Sequence, residues 1–458
     1  MLCIKRCLHN FFCCGCCKKS PLINLNEVNT KLLPKNELTI DLIEKNELFS
    51  FGSVPDNVRL FDLTNFNSLI KKIVIGKNHC LILFENGQLF GFGGNEEGQL
   101  GMNINENKFD SLTLIRLNNL NFNNFIINNP IVEDIAAGEN FSIILIRDSD
   151  NNQHLIRFGI KLEDKYNLDE NNINEFNIKV INLETIPNYL NNEIDKIFAF
   201  GKRIIFTTKK NENNNLNNLN KNNINNQNNF SQIFIGGIDF NENKIKENTY
   251  IELIENNNIN FTNVFLGQNF CLLFDKISNK IFGIGDNTYS EMTKIKTKND
   301  KFKELPIKFN IKIIKISVGA RHCLFLLENG DVYVLGDNSE GQCCGMDSQI
   351  NVPKKLEIHR KEKIQDIYCG YTHNFIVLEN GSVLSWGDAS MGKLGYDEEQ
   401  FTQSVPKEII CLNEKCVCYV SLGFQMSVVI TGKKKDSIVE KNKNVINNVM
   451  ALDKIDNL

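Results

Sequence analysis

The fold is decided by the stretch IYCGYTHNFIVLENGSVLSWGDASMGKLGY, residues 367–396. It contains three apolar runs. The first ends in Gly370 and is followed, after two residues, by His373, while an Asn-Gly pair separates the second run from the third. Two apolar runs joined by Asn-Gly are typical of a β-hairpin. The stretch therefore predicts three consecutive antiparallel strands.

The same pattern recurs along the chain, most clearly at residues 73–102 and 316–346. Each copy has a glycine at the end of its first apolar run, which we call the marker glycine, with apolar residues three and one positions before it. Those two positions share one face of a strand, because strand side chains alternate with a period of two. The seven marker glycines are Gly76, Gly138, Gly201, Gly267, Gly319, Gly370 and Gly423.

The rest of each copy predicts a hairpin and a third strand. Asn86-Gly87, Asn329-Gly330 and Asn380-Gly381 predict type I′ turns, in which both residues have positive φ. The third strand ends in an apolar residue followed by glycine, as in Phe92-Gly93, Phe158-Gly159, Ile235-Gly236, Ile284-Gly285, Leu335-Gly336 and Trp386-Gly387. Trp386, the only Trp, is expected to be buried, because Phe or aliphatic residues fill this position elsewhere.

The last copy lacks this third strand after residues 428–430, and a matching strand stands before the first copy, at Leu48–Phe51. Pairing the two would close the repeats into a ring and remove the exposed edges of an open array. The sequence therefore predicts an all-β, seven-bladed β-propeller closed by an N-terminal strand.

This arrangement divides the chain into three parts. Residues 1–46 form a Cys-rich tail and linker, residues 47–431 the propeller, and residues 432–458 a C-terminal tail. An Asn-rich tract at 211–229 lengthens the third copy and is expected to be a disordered loop insertion, because it has too little apolar surface to order itself. The C-terminal tail carries apolar residues at roughly helical spacing, which predicts a helix on the ring or on a partner.

Composition excludes some functions. With 51 basic and 55 acidic residues the net charge is −4, so no direct binding to DNA is expected. No apolar run is long enough for a membrane-spanning helix. Nine of the 15 cysteines lie outside the first 17 residues, mostly in apolar runs, as in a reduced, cytoplasmic protein. The short basic run at 433–435 neither predicts nor excludes entry into the nucleus.

The repeat also accounts for the histidines. His79, His322 and His373 share one position, which the other copies fill with Phe141, Ile204, Phe270 and Met426. A catalytic or metal-binding histidine would not alternate with phenylalanine. The position is therefore interpreted as buried, where a hydrogen bond to the backbone of the same blade would satisfy the ring. We predict no catalytic residue, no metal site and no cofactor.

The tail carries six cysteines among Leu, Phe, Lys and Arg: Cys3, Cys7, Cys13, Cys14, Cys16 and Cys17. Three interpretations stay open. The first is S-acylation, which would tether the chain to a cytoplasmic membrane. The second is zinc, since Cys13 and Cys16 have ligand spacing, although no second pair follows at the usual distance. The third is a tail without a role.

The pattern resembles the regulator of chromosome condensation repeat, which has Gly-x-x-His, then an Asn-Gly or Asp-Gly hairpin, Trp-Gly and Gly-Gln-Leu-Gly. Residues 370–395 carry all four elements, with Gly392-Lys393-Leu394-Gly395 as the last. The resemblance spans about residues 47–431. Kelch repeats lack the Gly-x-x-His and Gly-Gln-Leu-Gly elements, and Trp-Asp-repeat blades are shorter.

The resemblance implies a seven-bladed ring that binds protein partners on its faces. It implies two hypotheses about function. In the first, the ring regulates a small GTPase, by guanine-nucleotide exchange, from a membrane-tethered position. In the second, it is a non-catalytic adaptor or scaffold.

Overall fold

The computed structural model describes residues 17–19, 47–52, 58–159, 178–183, 193–209, 232–237 and 251–432, with short gaps inside some of these runs. Their strands form seven sheets of four or five strands and one small hairpin. In blades 1–6 the strands are antiparallel and hydrogen-bond in chain order, so each of these repeats is a four-stranded meander rather than three strands.

Blades 1–3 consist of β4–β7 (Ile70–Ile75, His79–Phe84, Leu89–Gly94, Lys108–Leu114), β10–β13 (Ile131–Ala137, Ser142–Arg147, Gln153–Phe158, Ile178–Ile181) and β14–β17 (Ile194–Phe200, Arg203–Thr208, Ile233–Gly236, Ile251–Glu252). The separate hairpin between blades 1 and 2 is β8 (Leu120–Phe122) with β9 (Phe125–Ile127).

Blades 4–6 consist of β18–β21 (Asn263–Leu266, Phe270–Asp275, Lys280–Gly285, Asn299–Glu304), β22–β25 (Ile313–Val318, His322–Leu327, Val332–Asp337, Gln349–Lys355) and β26–β29 (Ile364–Cys369, His373–Leu378, Val383–Asp388, Thr402–Glu408). Blade 7 combines β30 (Cys416–Leu422) and β31 (Ser427–Gly432) with β2 (Glu47–Phe51) and β3 (Val58–Asp62), and β1 (Cys17–Lys19) adds a parallel edge strand. Two 3₁₀ turns lie at Ser390–Gly392 and Ile410–Leu412.

The predicted closure by the N-terminal strand is confirmed. Leu48, Phe49 and Ser50 of β2 pair with Ile430, Val429 and Val428 of β31, in that order. The structure adds a second N-terminal strand, because β3 pairs with the outer side of β2. Blade 7 thus takes two strands from each end of the propeller.

The first strand of each blade faces the central axis, since β4, β10, β14, β18, β22, β26 and β30 contact one another in sequence around the ring. The turns after these strands, together with the loops between third and fourth strands, form one face of the ring, which we call the marker face. The hairpins between second and third strands form the opposite, hairpin face. Residues 210–231 between β15 and β16, which include the Asn-rich tract, and the C-terminal tail lie outside the described residues.

The hairpin turns are not of the predicted type I′. Only the glycine of each Asn-Gly pair has a positive φ, +80° at Gly87 and +90° at Gly381. The Gly87 N–H donates to the Phe84 carbonyl at 2.9 Å. These are type I turns followed by a left-handed residue, the usual solution for a slightly longer hairpin loop. Asn151 and Asn279, also left-handed, take the glycine's place in blades 2 and 4.

The apolar cores lie between neighbouring blades rather than inside them. Leu324 and Leu326 of blade 5, for example, pack against Ile376 and Trp386 of blade 6. Trp386 is 0% exposed, as the sequence predicted, and its indole N–H donates to the Gln342 carbonyl of blade 5 at 2.9 Å. The side chain at this position therefore joins two blades.

Blade 3 is out of register with the sequence pattern by one residue. Phe200, not Gly201, occupies the marker position, because Phe200 pairs with Arg203 as the last rung of its ladder. Gly201 lies one residue beyond, with φ +55° and open space around an added Cβ. Arg203, not Ile204, is therefore the residue at the histidine position of this blade.

The third strand of blade 3 is shifted in the same way. A Cβ added to Gly237 would lie 2.3 Å from the Lys202 carbonyl oxygen. In blade 1, a Cβ added to Gly93 would lie 2.4 Å from the Asn78 carbonyl oxygen, so the two glycines are equivalent. Gly237 thus ends this strand in place of the predicted Gly236.

Candidate protein-binding face

Marker glycines allow the blades to approach closely at the axis. A Cβ on Gly76 would lie 2.1 Å from the His79 ring and 2.5 Å from the carbonyl oxygen of Gly138 in the next blade. At Gly319 the corresponding distances, to His322 and to the Gly370 carbonyl, are 2.2 and 2.6 Å. A side chain at Gly76 or Gly319 would force these blades apart, which explains the Gly-x-x-His pattern of their copies.

The histidines join neighbouring blades, so the predicted bond to the backbone of the same blade is not what satisfies Nε2. Each Nε2 bonds a side chain that follows the histidine position of the next blade: His79 with Ser142 Oγ (2.9 Å), His322 with Asn374 Oδ1 (2.7 Å) and His373 with Ser427 Oγ (2.8 Å). In the other four blades the histidine position holds Phe141, Arg203, Phe270 or Met426. The residue that follows this position in the next blade is then Ile204, Cys271, Cys323 or Cys80, respectively, and not serine or asparagine.

The three imidazoles are fully buried and neutral. Burial lowers the pKa of His79 to about 3 and that of His322 to about 4, and it lowers the pKa of His373 well below its ordinary value. Because their role is to bond the next blade, we assign these histidines to the scaffold and not to a reactive site.

This pairing predicts how substitutions combine. His322→Phe should cost about 1–3 kcal/mol of unfolding free energy, because it leaves the buried Asn374 Oδ1 without its donor. The double variant His322→Phe/Asn374→Cys copies the Phe270–Cys323 pair of blades 4 and 5, and should recover part of that loss. Urea unfolding of the two single variants and the double variant measures the coupling. Additive costs would show that the pair does not act as a unit.

A cavity of ≈ 820 Å³ runs along the axis and is lined by the first strands of all seven blades. Three aromatic rings cross its marker end. Phe200 stacks on Tyr371 with centroids 5.8 Å apart and planes at 4°, and Tyr371 packs on Phe424 at 4.0 Å. Phe200 reaches across because it replaces a glycine at the marker position of blade 3.

Backbone hydrogen bonds link consecutive marker turns, as from Glu139 N–H to the Gly201 carbonyl at 2.7 Å. Between blades 3 and 4 a side chain makes this link. The Arg203 guanidinium donates to the Gln268 carbonyl and to Asn269 Oδ1, the latter at 3.2 Å. A buried arginine therefore holds these two blades together at the axis.

A second arginine is fixed on the marker face but reaches solvent. The guanidinium of Arg321 lies 4.3 Å above the Tyr289 ring, and its Nε donates to Gln268 Oε1 at 3.0 Å. The nearest carboxylate oxygen in an ion pair, on Asp337, is 4.0 Å away, and the side chain is 37% exposed. Stacking on an aromatic ring holds the guanidinium in one orientation with part of its edge free for a partner.

Glu291 lies buried beside this arginine. It accepts a hydrogen bond from the Tyr289 N–H at 3.0 Å, as Gln99 and Gln342 accept from equivalent loop amides in blades 1 and 5. Burial raises the pKa of Glu291 to about 8, so its carboxyl is protonated at neutral pH. A protonated glutamate has the shape and hydrogen-bonding groups of glutamine, and so supports the same loop conformation.

Four large apolar side chains in the marker-face loops and outer strands of blades 5 and 6 are exposed. They are Met346 (104%), Met391 (58%), Phe401 (80%) and Val405 (61%). The two blades touch here, because a Cβ added to Gly341 of blade 5 would lie 2.9 Å from Ser404 of blade 6. Met391 also has a left-handed backbone, φ +63°, which is uncommon outside glycine.

Five of the six predicted acylation cysteines, Cys3, Cys7, Cys13, Cys14 and Cys16, lie outside the described residues, and the sixth, Cys17, begins β1. Within the described ranges, no group of three or more His, Cys, Asp or Glu side chains is placed to hold a metal ion. Among those same residues, no helix is long and apolar enough to span a bilayer.

The repeats match a known family. A model of the Regulator of chromosome condensation (RCC1) repeat matches residues 70–99, 313–342 and 364–393, and a second model of this repeat matches 329–377 and 380–430. The chain is an RCC1-type seven-bladed β-propeller.

Individual relatives match only over short segments. The chain is 33% identical over 129 residues to the probable E3 ubiquitin-protein ligase HERC6 of Homo sapiens, and 34% identical over 79 residues to the secretion-regulating guanine nucleotide exchange factor of Mus musculus. These segments cover 28% and 17% of this chain, and only 12% and 17% of the two relatives.

Among solved structures, Prp20p of Saccharomyces cerevisiae, described with its binding properties to Gsp1p and histones, superposes with a TM-score of 0.62 at 18% identity. The match covers 88% of this chain and 95% of that one. At this identity the likeness shows the fold alone.

Proposed function

We propose that this chain is a protein-binding propeller that regulates a small GTPase through its marker face. The observation that carries the proposal is Arg321, fixed over Tyr289 with part of its side chain exposed. Arginine and tyrosine are enriched among the residues that dominate binding energy at interfaces, above all where they are held in place before the partner arrives.

The choice of a GTPase is supported by the relatives. One of them is named as a guanine nucleotide exchange factor, and the yeast propeller is described with its binding to Gsp1p. The described residues favour binding over bond-making chemistry, because the three repeat histidines are neutral and joined to the next blade. A ring of this kind would act by holding one conformation of its partner.

The proposal is tested by nucleotide release from a panel of small GTPases loaded with fluorescent GDP. We expect the chain to bind one panel member and to accelerate its release of GDP by at least about ten-fold, which corresponds to lowering the barrier to release by about 1.4 kcal/mol. Binding without acceleration would favour the adaptor hypothesis. If no member is bound, the GTPase assignment is wrong.

We further propose that the chain is cytoplasmic and that its N-terminal cysteines tether it to a membrane when acylated. The support is compositional: six thiols stand among Leu8, Phe11 and Phe12 and are flanked by Lys and Arg, which meets the two-signal requirement for stable anchoring. Changing Cys13, Cys14, Cys16 and Cys17 together to Ser should move the chain from the membrane fraction to the soluble fraction. Identical fractionation of the two forms would overturn this proposal.

A further inference from the structure

The marker end of the axis carries three partly exposed aromatic side chains, Phe200, Tyr371 and Phe424, which we call the axial cluster. Their rings contact one another across the mouth of the central cavity, with Tyr371 in the middle. Blades 1 and 4 hold Lys77 and Gln268 at the position of Tyr371, so the turn itself requires no aromatic residue. Aromatic rings that the backbone does not require and that reach solvent are typical of a contact surface.

The axial cluster is continuous with Arg321. The Arg321 Nε donates to Gln268 Oε1 at 3.0 Å, and the Gln268 side chain also hydrogen-bonds Tyr371. On its other side, the Arg321 guanidinium lies 4.3 Å above the Tyr289 ring. One strip of contacts therefore runs from the loop of blade 4 to the axis.

The strip has open space beside Phe200. A Cβ added to the next residue, Gly201, would meet no atom within 4 Å, whereas a Cβ on Gly76 would be blocked at 2.1 Å. Lys202 follows and is exposed. A segment from another molecule can therefore approach the Phe200 ring next to a cation.

The charges at the marker turns are mostly positive. Four charged residues stand in these seven turns, Lys77, Glu139, Lys202 and Arg321, and the first two pair with each other at 3.7 Å. Lys202 makes no ion pair with any residue that the structure describes, and Arg321 reaches only Asp337, at 4.0 Å. Carboxylates from a partner would complement these two cations.

Two such cations are too few for a nucleic acid strand, which needs a cationic groove that follows its phosphates. A protein segment fits better. A few carboxylates supply its charge, and an aromatic side chain can pack on the axial cluster in the stacked or edge-to-face arrangements that aromatic pairs prefer. The chemistry of the strip therefore selects an acidic segment that contains an aromatic residue.

We propose that the marker face binds an acidic segment of its partner, whose aromatic side chain packs on the axial cluster beside Gly201 and whose carboxylates pair with Arg321 and Lys202. This inference rests on the proposed function only in taking the marker face as the binding face. It does not require the partner to be a GTPase.

The first test reads the chemistry of the occupant directly. A random peptide library displayed on phage is selected on the purified chain. The enriched peptides should combine Asp or Glu with Phe, Tyr or Trp. Enrichment of basic peptides, or no enrichment, would overturn the proposal. A labelled thymidine oligomer that binds more tightly than the selected peptides would assign the strip to nucleic acid, and would also overturn it.

The second test measures the dissociation constant of the best selected peptide by fluorescence anisotropy. Tyr371→Gln and Lys202→Asn copy the residues that blades 4 and 1 carry at the same turn positions, so both variants should keep the fold. We expect binding to weaken about ten-fold in Tyr371→Gln and about three-fold in Lys202→Asn. Phe401→Gln and Lys276→Asn, at exposed positions away from the axis, are the matched controls and should bind as the unaltered chain does.

Salt separates the two contributions. Between about 0.01 M and 0.15 M ionic strength the Debye length falls from about 30 Å to about 8 Å, so the loss in Lys202→Asn should shrink while that in Tyr371→Gln persists. Unchanged binding in Tyr371→Gln, or an equal loss in the controls, would contradict the proposal.

The same variants separate this inference from the choice of a GTPase. If a GTPase from the release panel binds and Tyr371→Gln leaves its affinity unchanged, the axial cluster is not the contact and this inference is wrong, while the proposed function stands. If no GTPase binds but an acidic, aromatic peptide binds through Tyr371, the inference stands and the GTPase assignment is wrong.

Discussion

A chain that begins at residue 53 is expected to lose cooperative folding, whereas a chain that begins at residue 21 should melt close to the full-length protein. The first truncation removes β2, whose Leu48 and Phe51 are 0% exposed and whose Phe49 is 6% exposed. Burial of three such side chains contributes about 5–9 kcal/mol, which approaches the whole stability of a typical domain. It also leaves β31 with an unpaired edge.

Thermal and urea unfolding of both truncations, followed by circular dichroism, measures this difference. The chain from residue 21 is the matched control, since it loses the tail and β1 but keeps β2 and β3. Equal melting of the two truncations would contradict closure of the ring by β2.

Trp386→Ala is expected to destabilise the ring by about 3–5 kcal/mol, because it empties a fully buried position between blades 5 and 6. Trp386→Phe should cost far less, about 1 kcal/mol, for two reasons. Phe51, Phe92 and Phe158 already fill equivalent positions in other blades. The Gln342 carbonyl also keeps its second donor, Asn374 Nδ2, at 2.8 Å.

Urea unfolding followed by circular dichroism gives both values without relying on the single tryptophan as the probe. In the unaltered chain, blue-shifted emission that iodide does not quench would independently report its burial. A cost below about 1 kcal/mol for Trp386→Ala would mean that this position does not join the blades as described.

The sequence alone predicts the parts of the fold that repeat. The marker glycine recurs because a Cβ at this position would clash with its own blade's histidine ring and with the next blade, as at Gly76. The clear copies therefore all carry this constraint in their sequence. The outer strands carry no such constraint. In β25, for instance, most side chains are exposed and the apolar alternation is weak, which is why the fourth strand of each blade was not predicted.

Blade 3 shows how the pattern can mislead. Gly201 stands one residue beyond the marker position, and the third strand is followed by two glycines, Gly236 and Gly237. The repeat pattern of glycines therefore fits this blade equally well when it is shifted by one residue. Only the ladder of Phe200 with Arg203 fixes the alignment. The error hid Arg203, whose charge could have marked this blade as different from the others.

The candidate binding face could not be found from the sequence. Arg321 and Tyr289 belong to different blades, and nothing in the spacing of the repeat indicates that they stack.

The central claim is that the marker face binds the partner. The most direct test is calorimetric measurement of the dissociation constant for the GTPase identified in the release panel. Three forms are compared: the unaltered chain, Arg321→Ala and Ile277→Ser. Arg321→Ala should weaken binding by at least about 30-fold, which corresponds to the 2 kcal/mol typical of a dominant interface residue. Ile277→Ser, on the hairpin face, should bind as the unaltered chain does, and both variants should keep its melting temperature. Unchanged affinity in Arg321→Ala, or a loss in Ile277→Ser, would contradict binding through the marker face.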